Sequence, residues 1–217
     1  MTMKAFIFDM DGVIIDSEPL QLQSFNKVLQ RFGHLVEMDD FKHKYMGLKD
    51  AQICERMVGD YELPITPEEF VDEKRRSYLE ILQGDEILPM PGVVSAIKKL
   101  YQRVPLAIAS SSNRSEIETI TERFGIRQYF KVFVSAHEVS SGKPAPDVYL
   151  KTSEELGVDP TECGVIEDTL VGIRSAKAAG MYCVGITTTH TKDELKEADK
   201  IITSFEELLP ALEREYL

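Results

Sequence analysis

The chain has 217 residues, 43% hydrophobic and 29% charged, with a formal net charge of −12. That length suffices for one α/β domain plus a smaller insert and a buried core, and the composition is that of a soluble globular protein. The acidic balance argues against the basic face that a nucleic-acid binder needs. No apolar run approaches the roughly 18 residues of a membrane span, so neither nucleic acid nor a membrane is an expected partner.

Residues 1–9 run through one short apolar stretch into Asp9, without the apolar core and cleavage site of a signal peptide, so a cytoplasmic location is expected. The first strand signal is Lys4 to Phe8. From about Ser17 to Gly84 no strand signal appears. Leu22, Phe25, Val28, Leu29 and Phe32 recur at helical spacing, and Pro67 opens a charged helix running to about Leu82. Further short apolar runs follow at Leu106–Ala109, Lys131–Ala136, Cys163–Ile166, Tyr182–Ile186 and Lys200–Thr203, with amphipathic stretches between most of them. The alternation predicts an α/β fold with a doubly wound parallel sheet, and the near-continuous apolar runs predict strands buried on both faces. Residues 1–16 and 87–217 read as the core domain, and residues 17–86 as a small helical domain inserted after the first strand. Pro91 is expected at the first position of a helix reaching Leu100. Ser204 with Glu207 is expected to form a capping box, and Gly180 to close an alanine-rich helix over 170–179. Cys54, Cys163 and Cys183 form no C-x-x-C pair and are odd in number, so free buried thiols are expected.

Four constellations carry chemistry, three of them at carboxyl ends of predicted strands, where open α/β sheets bind ligands. In Asp9-Met10-Asp11-Gly12, two acids two residues apart follow a buried strand. A plain turn accounts for Asp11-Gly12 but not for Asp9, since a carboxylate there is costly unless paired or bound to metal. Ser110, Ser111 and Ser112 with Asn113 offer hydroxyls and backbone N–H groups to an anion. For Ser112 and Asn113, capping the helix from about Arg114 is an equally good account. Lys143 precedes Pro144 and Pro146, which stiffen the backbone and hold a phosphate-neutralising ammonium in place; a surface turn looks much the same. Glu167-Asp168 follows an apolar strand, with Asp168 either a helix N-cap or a ligand to a hard cation such as Mg²⁺.

Order and placement together resemble the haloacid dehalogenase-like superfamily, in the branch whose helical cap follows the first strand and that includes sugar-phosphate phosphatases and beta-phosphoglucomutase. The likeness covers essentially the whole chain. It implies that Asp9 is the nucleophile and a metal ligand, and that Asp11 is the general acid and base, with its carbonyl on the metal. It further implies that Ser110 and Lys143 hold the phosphate, with Ser111 beside them. Asp168 binds Mg²⁺, and Glu167 is a ligand or supports one. The implied activity is hydrolysis of a small phosphorylated metabolite through an aspartyl-phosphate, by a monomer or weak dimer. Asp11 speaks against a dehalogenase or phosphonatase. The alternative is a phosphosugar mutase. Mutase-like relatives carry a histidine where this chain has Gln21, and an arginine after a Gly-x-Ser where this chain has Gly47-Leu48-Lys49-Asp50. That leaves Lys49 as the only stand-in, next to an anionic Asp50 that repels a second phosphate. A non-catalytic binding protein on the same fold is a further alternative, disfavoured by the presence of every core residue.

Overall fold

The computed structural model of the protein describes residues 2–45, 48, 50–84 and 87–213. In chain order, β1 (Ala5–Phe8) is followed by the helices α1 (Glu18–Gln30), α2 (Met38–Lys44), α3 (Asp50–Asp60) and α4 (Pro67–Leu82). Then come α5 (Val93–Tyr101), β2 (Leu106–Ser110), α6 (Arg114–Arg123), β3 (Phe130–Ser135) and α7 (Asp147–Leu156). The chain continues through β4 (Cys163–Glu167), α8 (Leu170–Ala178), β5 (Tyr182–Ile186), β6 (Lys200–Ile202) and α9 (Leu208–Glu213), with short 3₁₀ turns between. Contacts divide the chain into two compact units, residues 1–16 with 88–217, and residues 17–87.

In the larger unit the strands form one parallel sheet in the order β3-β2-β1-β4-β5-β6. The order reverses between β1 and β4, the crevice where doubly wound sheets bind ligands. β1 is central and wholly buried, as its unbroken apolar run requires. Its residues alternate between faces. Ala5 and Ile7 join Val148, Tyr149, Ile173 and Ala176 of α7 and α8 in one apolar cluster. Phe6 and Phe8 meet edge to face at 5.3 Å. In register, Phe8 pairs with Ile108 of β2 and Ile166 of β4, and the Asp9 N–H extends the ladder by donating to the Ile166 carbonyl at 3.1 Å. The first residue past β1 is thereby pinned beside the ends of β2 and β4.

Two helix starts differ from the expectation. The α5 helix begins at Val93 after Gly92, whose φ of +84° suits glycine alone, so Pro91 lies outside the helix. Ser204 makes no side-chain cap; Glu207 instead accepts from the Thr203 hydroxyl at 2.5 Å and from its N–H at 3.3 Å. Gly180 does follow α8, with φ +79°. All three cysteines are free and buried. No described helix is long and apolar enough to cross a membrane.

The smaller unit is built from α1 to α4 around Leu22, Phe25, Val28, Leu29, Phe41, Ile53, Met57 and Phe70. Thr66 and Glu69 form a reciprocal capping box that starts α4 at Pro67. Phe25 is fully buried and contacts the rings of Phe41 and Phe70. Phe25→Ala should therefore cost this unit about 3–5 kcal/mol, whereas Thr66→Ala should cost about 1 kcal/mol. Urea unfolding of the two variants checks the ranking; a smaller loss for Phe25→Ala than for Thr66→Ala would contradict it.

Candidate active site

Three buried carboxylates and one ammonium meet at the ends of β1 and β4. Lys143 donates to Asp9 Oδ1 at 2.6 Å and to Glu167 Oε1 at 2.5 Å, and lies 3.4 Å from the Ala109 carbonyl. Glu167 is held from every side. Its Oε1 also accepts from the Tyr149 hydroxyl at 2.7 Å, and its Oε2 from the Thr169 hydroxyl at 3.1 Å. Thr189 donates to Asp168 Oδ2, while Asp168 Oδ1 is buried without a partner. Asp9, Glu167 and Asp168 place one oxygen each within 4.8 Å of one another.

Glycine makes this crowding possible in two places. Gly12 sits at φ +74°, and a Cβ there would lie 2.0 Å from Asp168 Oδ2; a Cβ on Gly172 would lie 1.9 Å from the Glu167 carboxyl. Neither position has room for a side chain. Thr169, not Asp168, caps α8 by accepting from the Gly172 N–H, so Asp168 is released from any capping duty.

Asp11 faces the serines. Its Oδ2 accepts from Ser112 at 2.6 Å and from Ser110 at 3.3 Å, and its Oδ1 is buried and unpaired. Asn113 and Glu116 form the capping box of α6, which leaves Ser112 for Asp11. Ser111 is exposed and stands apart from this contact. The structure thus brings together Asp9, Asp11, Ser110, Lys143, Glu167 and Asp168. Gln21 lies in the helical unit, where its side-chain oxygen and Asp50 Oδ2 both accept from the buried Lys74. Lys49 falls outside the described residues.

Sequence reasoning missed Tyr149 and Thr189, and left Ser112 open between a helix cap and a site contact. For Thr189 a signal existed, since Thr188-Thr189 come just past an apolar strand, the same placement that marked Asp9 and Asp168. Tyr149 carries no such mark: it lies six residues after Lys143 on a helix, and only the fold turns it onto Glu167.

Electrostatics follow from burial. Desolvation, then the Glu167 charge, push the Asp9 carboxyl well above its usual range, against the pull of Lys143. The same two causes raise Asp168 to about 7, with the Thr189 hydrogen bond opposing. Burial works against the Lys143 ammonium, yet Asp9 and Glu167 raise its pKa above the ordinary lysine value. Three carboxylates against one ammonium leave two formal negative charges, and all donors are hard oxygens. With Asp168 Oδ1 buried and unpaired, the cluster fits a divalent cation.

For carboxyls raised on folding, the folded state still holds protons that the unfolded state has lost between about pH 4 and 7, so stability falls as pH rises through that window. In EDTA, wild type should lose a few kcal/mol between pH 5 and pH 8 from this source, and Asp168→Asn should lose less. Thermal unfolding at both pH values checks this; an equal drop in both proteins would contradict the assignment.

Over residues 6–186 the sequence matches the model of the haloacid dehalogenase-like hydrolases. It is 32% identical over 180 residues to the fructose-1-phosphate phosphatase YqaB of Escherichia coli, covering 83% of this chain and 94% of that protein. It is 33% identical over 184 residues to a phosphorylated carbohydrates phosphatase of Thermotoga maritima, covering 82% of each. Among solved structures, that of a putative beta-phosphoglucomutase from Thermotoga maritima superposes with a TM-score of 0.84 at 29% identity, covering 98% of this chain and 100% of that one.

Proposed function

Because the chain belongs to the haloacid dehalogenase-like hydrolase family and is an enzyme that hydrolyses phosphate monoesters, we propose that it does so with Mg²⁺ and a phosphorylated Asp9. The observation that carries this reading is the asymmetric environment of Asp9. Lys143 holds one carboxylate oxygen, and the other takes no hydrogen bond among the described residues. Asp9 Oδ2 attacks phosphorus, and the bond to the leaving oxygen breaks as Asp11 gives that oxygen a proton. Asp11 then takes a proton from water as it attacks the same phosphorus, the Asp9–phosphorus bond breaks, and orthophosphate leaves. Ser110 and Ser112 hold Asp11 Oδ2, orienting the acid between the two half-reactions. We assign phosphate contacts to Ser110, Ser111 and Lys143, and metal contacts to Asp9, the Asp11 carbonyl and Asp168. Mg²⁺, when bound, supplies the positive charge that lets a carboxylate approach a phosphate dianion. With both oxygens of Glu167 engaged, its part is to hold Lys143 in place.

The substrate class is a small phosphorylated metabolite, a sugar phosphate first, on the strength of what the named relatives act on. Residues 17–86 are assigned as the cap domain that selects it. The mutase alternative is not favoured. Asp50 is ion-paired to Lys74 at 2.5 Å, so its repulsion of a second phosphate is offset and no longer counts. Gln21 still does: a neutral amide whose oxygen accepts from Lys74 lacks the titratable proton of a histidine.

Asp9→Asn should lower kcat by on the order of 10³-fold or more without unfolding the protein, and EDTA should silence the wild type until Mg²⁺ is restored. A panel of phosphorylated metabolites ranked by kcat/KM is the assay. Substantial turnover by Asp9→Asn, or full activity of metal-free enzyme, would refute the reading.

A further inference from the structure

Resting on the reading of Asp9 and Asp168 as cation ligands, we propose that Thr189 is a positioning residue that fixes which oxygen of Asp168 is offered to the cation. A carboxylate rotates easily about its last torsion, which is broad and roughly two-fold. Left alone, Asp168 would present either oxygen, or split its charge across two poses. The Thr189 hydroxyl removes that freedom by donating to Oδ2. What remains is Oδ1, buried and without a partner, an arrangement that is costly unless a cation completes it.

Two further contacts set the clamp in place. Oδ2 lies only 2.0 Å from where a Cβ on Gly12 would be, so the β1 loop walls it on that side. The neighbouring Thr188 hydroxyl donates to the Gly12 carbonyl at 2.6 Å. Consecutive threonines past β5 therefore tie the acid at the end of β4 to the loop carrying Asp9 and Asp11. An ionised Asp168 only accepts, so the Thr189 proton points to it. His190 Nδ1 lies 2.9 Å from the Thr189 hydroxyl oxygen. A hydroxyl held on the acid in this way is the kind of partner that orients metal-binding carboxylates.

Thr189 is exposed, so substitution there leaves the core intact. The test is calorimetric titration of wild type, Thr189→Val and Thr189→Ser with Mg²⁺ alone, plus melting of each in EDTA. Losing such a partner typically weakens metal binding about 10- to 100-fold. That loss is expected for Thr189→Val, with Thr189→Ser close to wild type and all three melting alike in EDTA. Equal Mg²⁺ affinity for Thr189→Val and wild type would overturn the positioning role while leaving the metal reading intact. Failure of Thr189→Ser to restore affinity, or a melting loss in EDTA confined to Thr189→Val, would also overturn it. Absence of Mg²⁺ binding by wild type would overturn the metal reading and this proposal with it.

Discussion

The Lys143 ammonium, 2.6 Å from Asp9 and 2.5 Å from Glu167, lies where little water reaches: its side chain is 6% exposed, against 9% and 0% for the two acids. Any one of these groups buried alone carries a desolvation cost of several kcal/mol. Together they form a chain in which Glu167 fixes the lysine and the lysine fixes one oxygen of Asp9. Tyr149 and Thr169 are needed because Glu167 has four lone-pair sites and is fully buried. The remaining imbalance, two negative charges, is what makes the cluster receptive to a dication and then to an anionic substrate.

The sheet exists, functionally, to bring these charges together. Parallel strands end at one edge, and the reversal of strand order between β1 and β4 opens a crevice between their carboxyl ends. β1 is held in register by its parallel ladders to β2 on one side and β4 on the other. A slip of one residue would turn Asp9 to the opposite face. Gly12 and Gly172 then let carboxylates approach the backbone closer than any side chain would permit. Rigidity at the strand and closeness at the turns are both required, and different residue types supply them.

Much of this was legible in the sequence because the governing signals are local. A buried apolar run ending in an acid needs no tertiary information, and it located Asp9, Glu167 and Asp168. Pro67 and the helical spacing of Leu22, Phe25, Val28 and Leu29 located the α-helical unit for the same reason. What escaped were choices between near-equal local options. Gly92 rather than Pro91 starts α5, because a positive φ at that turn outweighs the preference of proline for a first helical position. Ser112 was evenly balanced between cap and site, and the balance tipped because Asn113 and Glu116 take the cap. Tyr149 and the Lys74 contact to Gln21 are tertiary events, with partners 18 and 53 residues away in sequence, and no local pattern records them.

The most direct test of the account is whether Asp9 accepts a phosphoryl-like group only when a dication balances the pocket. Trifluoroberyllate mimics a phosphoryl group on a carboxylate oxygen, and its fluorine resonances report the bound adduct. Fluorine NMR of wild type should show bound resonances with Mg²⁺ present, none in EDTA, and none with Asp9→Asn under either condition. Bound resonances of equal intensity in Asp9→Asn, or in wild type without a divalent ion, would contradict it.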